Sequence, residues 1–453
     1  MCKGEKVEEV KEKGSKGVMG SKYLFSLSLY PLFTLLLVAF FSLPLSAQKK
    51  DKMDRAQREF AAGDYAGAIR TLQSARGLTE SDAEAGLLLA VCQFHANDLI
   101  TAEQGLLTIT EQEKDGYPLA WFYLGRVYHA QHRFVRAATE YKRYLRSLSG
   151  DGPERKTVVR LLRNVDNGIR AGFVNDEMVA ENMGATVNTE NDEFGPIPSP
   201  TGSGRLYFSL LRPDISGNRG QTDIVATMAS DLGWSPPSPV NPLLNTSGQE
   251  NLLDISPDGQ RLYYYRGNDA TDGRFLIDTF SGAGNNQLVT IQPRAPISPA
   301  MGDVTPFFGA ADAVYFSSRR PGGYGGLDLY RMVRLPGGRF GPPQNLGPNV
   351  NGPYDEVCPF VAKDGRTIYF SSNDPAISVG GFDVVRTYRV AGTENRFTVP
   401  ENAGMPLNSA GDDTHFRLAS DTFTGFLASD RKEGYGSRDI YVVYYVEPRE
   451  EMQ

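Results

Sequence analysis

Two rhythms of apolar and polar positions divide the chain. From about residue 51 to 170, apolar positions recur at i, i+3 and i+4, as in Trp121-x-x-Leu124-Gly125-x-x-Tyr128, which predicts amphipathic helices. From residue 172 onward, short apolar runs alternate with Gly- and Pro-rich turns, which predicts strands. Ahead of both lies an apolar stretch from Tyr23 to Leu45, followed by Ser46-Ala47-Gln48. That order is expected of a secretory leader spanning 1–47, with translation starting at Met19 and cleavage after Ala47. An uncleaved anchor is the alternative, because the run is just long enough to span a bilayer.

The helical rhythm repeats. Gly63-Asp64-Tyr65-x-x-Ala68 returns as Asn97-Asp98-Leu99-x-x-Ala102 and as His132-Arg133-Phe134-x-x-Ala137, at spacings of 34 and 35 residues. A small residue early in the second helix lets two helices approach, and the aromatic or Leu three residues earlier fills the groove at the turn. A last helix from Pro153 to about Ile169 is expected to cap the stack. The pattern resembles the tetratricopeptide repeat, in three copies over about 100 residues. It implies an α-solenoid over 48–171 whose groove takes peptides or extended segments.

The strand rhythm repeats as well. Leu206-Tyr-Phe-Ser returns from Leu262, Val314, Ile368 and Gly425, at spacings of 56, 52, 54 and 57 residues. Each copy carries an acid near its first strand: Glu193, Glu250, Asp303, Glu356 and Asp413. Asp258-Gly259 and Asp364-Gly365 supply hairpin turns. A glycine-rich loop then leads to an Asp on the third strand, as at Asp328, Asp383 and Asp439. About four strands per copy predict a β-propeller over 172–453, with five blades and six as the alternative. The last copy ends soon after its third strand, so the segment around Phe173 to Ala180 is expected to supply the missing outer strand.

This string of Glu, Asp-Gly, Tyr-Phe-Ser-Ser and Gly-Gly-x-Asp resembles the TolB-like, WD40-like propeller repeat. Helical repeats followed by such a propeller resemble the periplasmic part of Bacteroidetes envelope proteins, relatives of which serve type IX secretion and gliding. Those proteins often continue into an OmpA-like, peptidoglycan-binding domain. This chain ends at Gln453, so direct peptidoglycan binding is not carried over. The resemblance implies an exported, periplasmic protein, peripherally associated with the outer membrane, whose partners are envelope proteins or peptide segments.

Charge sharpens the division. Residues 48–170 hold 19 basic against 16 acidic side chains, and residues 171–453 hold 22 against 34. The two parts therefore offer either two different surfaces or one interface between them. A net charge of −7 argues against nucleic acid as a partner. Arg126, Arg133, Arg136, Arg143 and Arg146 are the candidate basic residues of the helical groove, suited to acidic chains. The five acids form a ring by propeller symmetry, read either as a negative channel mouth or as carboxylates that accept backbone N–H bonds where strands begin.

Catalytic chemistry finds little support. The propeller has one histidine, His415, and no G-x-S-x-G elbow. His95, His129 and His132 fall at packing or turn positions. Cys2 leaves with the leader, while Cys92 and Cys358 read as small buried residues. Asn268 to Gly273 reads as a surface turn and not a calcium loop. No metal or cofactor is expected. The sequence thus points to a non-enzymatic interaction scaffold; the alternative is a receptor-like propeller binding a glycan or peptide in its central channel.

Overall fold

In the computed structural model the described residues are 47–75, 77–112, 116–171, 177–212, 220–241, 243–279, 296–310 and 312–452. The apolar leader stretch lies outside them. Among the described residues, no helix is long and apolar enough to cross a membrane.

Three helix pairs open the structure: α1 (Ala47–Ala61) with α2 (Tyr65–Ser74), then, after the single turn α3 (Leu78–Ser81), α4 (Ala83–His95) with α5 (Leu99–Gln112), and α6 (Pro118–Ala130) with α7 (Phe134–Ser147). The capping helix α8 (Pro153–Ala171) follows. Local chemistry sets the starts. Asp64 accepts the Gly67 N–H, Asp82 those of Glu84 and Ala85, and Asp98 that of Thr101, which satisfies donors the helix leaves open. Ala68, Ala102 and Ala137 are fully buried between paired helices. Gly125 has to be glycine: a Cβ there would lie 2.6 Å from the Tyr141 ring.

The strands form five antiparallel sheets. A first strand, β1 (Met178–Asn182), precedes them. Blade one is β2 (Asp192–Pro198), β3 (Arg205–Arg212) and β4 (Gln221–Ser230), edged by β5 (Gly233–Trp234) and β6 (Ser238–Pro239). Blade two is β7 (Gln249–Ile255), β8 (Arg261–Gly267) and β9 (Arg274–Thr279). Blade three is β10 (Asp303–Phe307), β11 (Ala313–Ser318) and β12 (Asp328–Leu335), edged by β13 (Arg339–Phe340) and β14 (Gln344–Asn345). Blade four is β15 (Glu356–Val361), β16 (Thr367–Ser372), β17 (Asp383–Tyr388) and β18 (Glu401–Asn402). Blade five is β19 (Asp413–Leu418), β20 (Thr424–Ser429) and β21 (Asp439–Tyr445).

The inner strands β2, β7, β10, β15 and β19 neighbour one another in that order, and β19 returns to β2, so the ring closes with five blades. The closing strand is β1, paired antiparallel with β21 from Met178–Tyr445 to Asn182–Tyr441. It falls at the C-terminal end of the segment the sequence suggested; residues 172–176 lie outside the described residues. The expected Asp-Gly turns form, with Gly259 at φ 68° and Gly365 at φ 64°, the left-handed region that favours glycine.

Outer edges are held by a repeated asparagine clamp. Asn351 Oδ1 accepts the Leu329 N–H and its Nδ2 donates to the Leu329 carbonyl and to Asn345 Oδ1. Asn408 does the same at Val384 with Asn402, and Asn188 at Ile440 with Asn182. The last of these clamps the closing strand.

Candidate functional site

All five acids are buried, with 0–2% exposure, at the first residues of the inner strands. Each carboxylate accepts a backbone N–H from just upstream: Thr189 to Glu193 at 3.2 Å, Thr246 to Glu250 at 3.0 Å, Ser298 to Asp303 at 2.9 Å, Gly352 to Glu356 at 3.1 Å and Ser409 to Asp413 at 2.6 Å. The acids' own backbone latches neighbouring blades: Glu356 N–H donates to Leu327, Asp413 to Phe382 and Glu193 to Arg438. Arg266, Arg320 and Arg431 pair with Glu250, Asp303 and Asp413 at 3.1, 2.6 and 2.6 Å. Burial pushes Glu193 up to about 7 and Glu356 up to about 8. The ring therefore turns into the blades and away from the solvent of the mouth.

Two residues beyond the acids, the inner strands bulge, and Thr305, Cys358 and His415 take φ of 46°, 54° and 56°, where Gly195 takes 65° in blade one. Four residues beyond come Ile197, Asp254, Phe307, Phe360 and Arg417, all 3–9% exposed, so side chains fill the axis at that level. The Arg417 guanidinium lies over Phe307 at 5.0 Å and Phe360 at 5.2 Å. Desolvation raises Asp254 to about 6, though Arg417 counters it.

The helices meet the propeller on the face where the inner strands begin. Asn164 donates to the Ser378 carbonyl at 2.9 Å and to Gly380 at 2.7 Å. Asn167 donates to Pro375 at 3.1 Å and Ser378 at 2.9 Å, and His129 Nε2 to Val379 at 2.9 Å. Val379, 1% exposed, sits within the apolar core of the helices together with Met405. The blade-five loop adds Asn97 Nδ2 to Gly434 O at 3.2 Å and the Lys432 ammonium over the Phe94 ring at 4.8 Å. Desolvation, with Arg126 nearby, lowers Lys432 to about 8, and burial lowers His95 and His129 to about 3.

The five candidate arginines do not share one surface. Arg126 belongs to α6 and turns toward the propeller, with Lys432, His95 and Arg160 around it. The other four belong to α7 and the turn before it. Arg133 binds both Glu103 oxygens at 2.7 and 2.8 Å and lies over Tyr128 at 4.3 Å. Arg136 is exposed, 5.8 Å from the same ring. Arg143, paired with Glu140 at 3.0 Å, lines a cleft of about 350 Å³ with Arg146, Trp121 and Ser147.

Cys92 and Cys358 are buried free thiols, each pushed up to about 12 by desolvation and so held protonated. The turn at Asn268–Gly273 is closed by Asp272, which accepts the Asn268 and Asp269 N–H groups. Among the described residues, no cluster of three His, Cys, Asp or Glu could hold a metal. The helical face that grips the loop was not singled out in the sequence. Its signal was available: His95 and His129, and Arg126 and Arg160, stand 34 residues apart, so polar groups recur at one repeat position.

Two tetratricopeptide-repeat families match, over residues 59–121 and 106–152. No curated protein sequence matches the chain. Solved structures similar to it include a glycoside hydrolase, at 8% identity and TM-score 0.42, covering 58% of this protein and 89% of that one. An α-L-arabinofuranosidase from Lactobacillus brevis is similar at 10% identity and TM-score 0.31, over 58% and 91% of the two proteins. The β-propeller domain of the Trilobed protease from Pyrococcus furiosus is similar at 9% and 0.26, over 56% and 82%. With helix pairs at the repeat spacing and a closed ring of five sheets, the chain is a tetratricopeptide-repeat array leading into a five-bladed β-propeller.

Proposed function

We propose that the chain is a non-enzymatic, protein-binding scaffold of a bacterial cell envelope, exported to the periplasm and acting as an accessory of a secretion or gliding assembly. One observation carries the reading. The helices hold a turn of main chain by its carbonyls, through Asn164, Asn167 and His129, which is how a protein surface recognises a peptide. The solvent-facing side of the same array, with Arg136, Arg143, Arg146 and Trp121, suits an acidic partner segment. The placement in the envelope rests on the resemblance of the leader and the domain order, and is part of the proposal.

The test is affinity capture from cross-linked bacterial envelopes. The protein is used beside a variant carrying Arg136→Glu, Arg143→Glu and Arg146→Glu. The protein should retain a distinct set of envelope proteins. The variant should lose at least one of them by about tenfold, the usual weight of a few interface charges. Capture of no protein above background by the unaltered chain sinks the scaffold reading.

A further inference from the structure

Three loops of the propeller have one design. In blades three, four and five the residue four before the third-strand Asp donates its N–H to that Asp: Tyr324 to Asp328 at 2.7 Å, Val379 to Asp383 at 2.8 Å and Tyr435 to Asp439 at 2.6 Å. The same bond therefore points the same position off the same end of the ring. Tyr324 is 50% exposed and Tyr435 is 53% exposed, whereas Val379 is 1% exposed, lodged among the helices. The ring does not need a small residue there. The helices do.

What the helices do to this loop has the features of ligand binding. Asn164 and Asn167 together satisfy the carbonyls of Pro375, Ser378 and Gly380, and His129 satisfies that of Val379. Carbonyls carry no sequence information, so such a grip is indifferent to most side chains. Specificity then comes from the one side chain swallowed, a small β-branched one; the glycine after it is required by the neighbouring blade, whose Ser409 and Gly411 carbonyls leave no room for a Cβ. Asn164 is 2% exposed and His129 is 3% exposed, so these donors are committed to whatever main chain lies there.

We propose that the first-helix face of the array is a peptide site filled in cis by the loop Pro375–Gly380, and that an external segment of the same chemistry, a Val-like residue just after a turn that presents its carbonyls, binds by displacing it. This rests on the scaffold reading and adds to it the kind of segment bound and the device that gates it. Occupancy by the loop lowers the apparent affinity for the outside segment by the fraction of time the face stands free. A change that expels the loop without altering the helices raises that affinity.

The probe is a dye-labelled peptide of residues 373–382, read by fluorescence anisotropy on the full chain. The variant is Val379→Tyr, since blades three and five already carry Tyr in this loop, while the helical pocket has no room for one. The peptide should bind V379Y at least about tenfold more tightly than the unaltered chain. Adding Asn164→Ala and Asn167→Ala to V379Y should abolish the gain. Equal binding to both proteins, or binding to neither, overturns the proposal. A second measurement needs no variant: saturating peptide should speed hydrogen exchange at amides 376–381 of the unaltered chain, and an unchanged rate overturns the proposal too. If envelope capture succeeds while V379Y gains nothing, the scaffold stands and the gating falls. If the peptide behaves as expected while no envelope protein is captured, the cis-filled site stands and the envelope role falls.

Discussion

Among the described residues Glu193 and Glu356 pair with no arginine, whereas Glu250, Asp303 and Asp413 face Arg266, Arg320 and Arg431. One position thus serves under two electrostatic regimes. Where the guanidinium is present, deleting the acid strands a buried cation: Asp413→Asn should cost about 3–5 kcal/mol in urea unfolding at pH 7, because Arg431 keeps only 14% exposure. Where it is absent, the proton does the work. Glu356 titrates at about 8 when folded against an ordinary 4.5, so the folded state holds the extra proton between those values. The stability it contributes is full below about pH 4.5 and is lost as pH rises through 8. Glu356→Gln keeps an acceptor for the Gly352 N–H and removes the titration. Its melting temperature should exceed that of the unaltered protein at pH 9 and match it closely at pH 5; a parallel loss at both would contradict this account.

At the scale of elements, the clamp on the closing strand is the point of greatest leverage. Asn188→Ala removes the acceptor of the Ile440 N–H and one of the two donors to its carbonyl, which keeps the Met183 N–H, a cost of about 1–3 kcal/mol in an equilibrium unfolding curve. It should also speed hydrogen exchange along Met178–Asn182, whereas Asn351→Ala should leave that strand protected. Much of this architecture was legible. The helix pairs could be read because Ala68, Ala102 and Ala137 must be small at a fixed period, and the blades because each middle strand repeats an apolar run. Even the closing strand could be placed, since the fifth blade lacked an edge. The contact between the modules could not. Asn164, Asn167 and Val379 are ordinary residues for a helix surface and a loop, and a side-chain amide bonded to a carbonyl leaves no compositional trace. The spread of the arginines over separate surfaces is hidden in the sequence for a related reason. Period alone does not say which side of a helix pair a residue faces, and Arg126 lies on a different helix from Arg143.

For the whole molecule, the two modules respond to acid in opposite directions. In the helices, burial holds His95 and His129 neutral, at about 3 against an ordinary 6.5. Their contribution to stability is present above about pH 6.5 and is lost as pH falls toward 3. Glu84, raised to about 7 by burial, offsets part of that loss. In the propeller, burial raises Glu193, Glu356 and Asp383, whose contribution grows as pH falls and outnumbers the opposing one of His415, which burial, with Arg438 and Arg417 nearby, holds well below its ordinary value. Heating at pH 5.5 should therefore bring helix loss at 222 nm to a lower temperature than at pH 8, with the β-sheet signal moving the other way. A shift of both signals in one direction would contradict it. The ring also carries a consequence in time. Its closing strand leaves the ribosome shortly after the helices, and the strand it must pair with leaves only after four blades, so β1 waits with an open edge while they are made. Completion of the circle thus certifies the ring: a product broken off anywhere before Asp439 keeps an unpaired edge, the kind of surface that aggregates or is degraded, and only a product that reaches β21 can hide it.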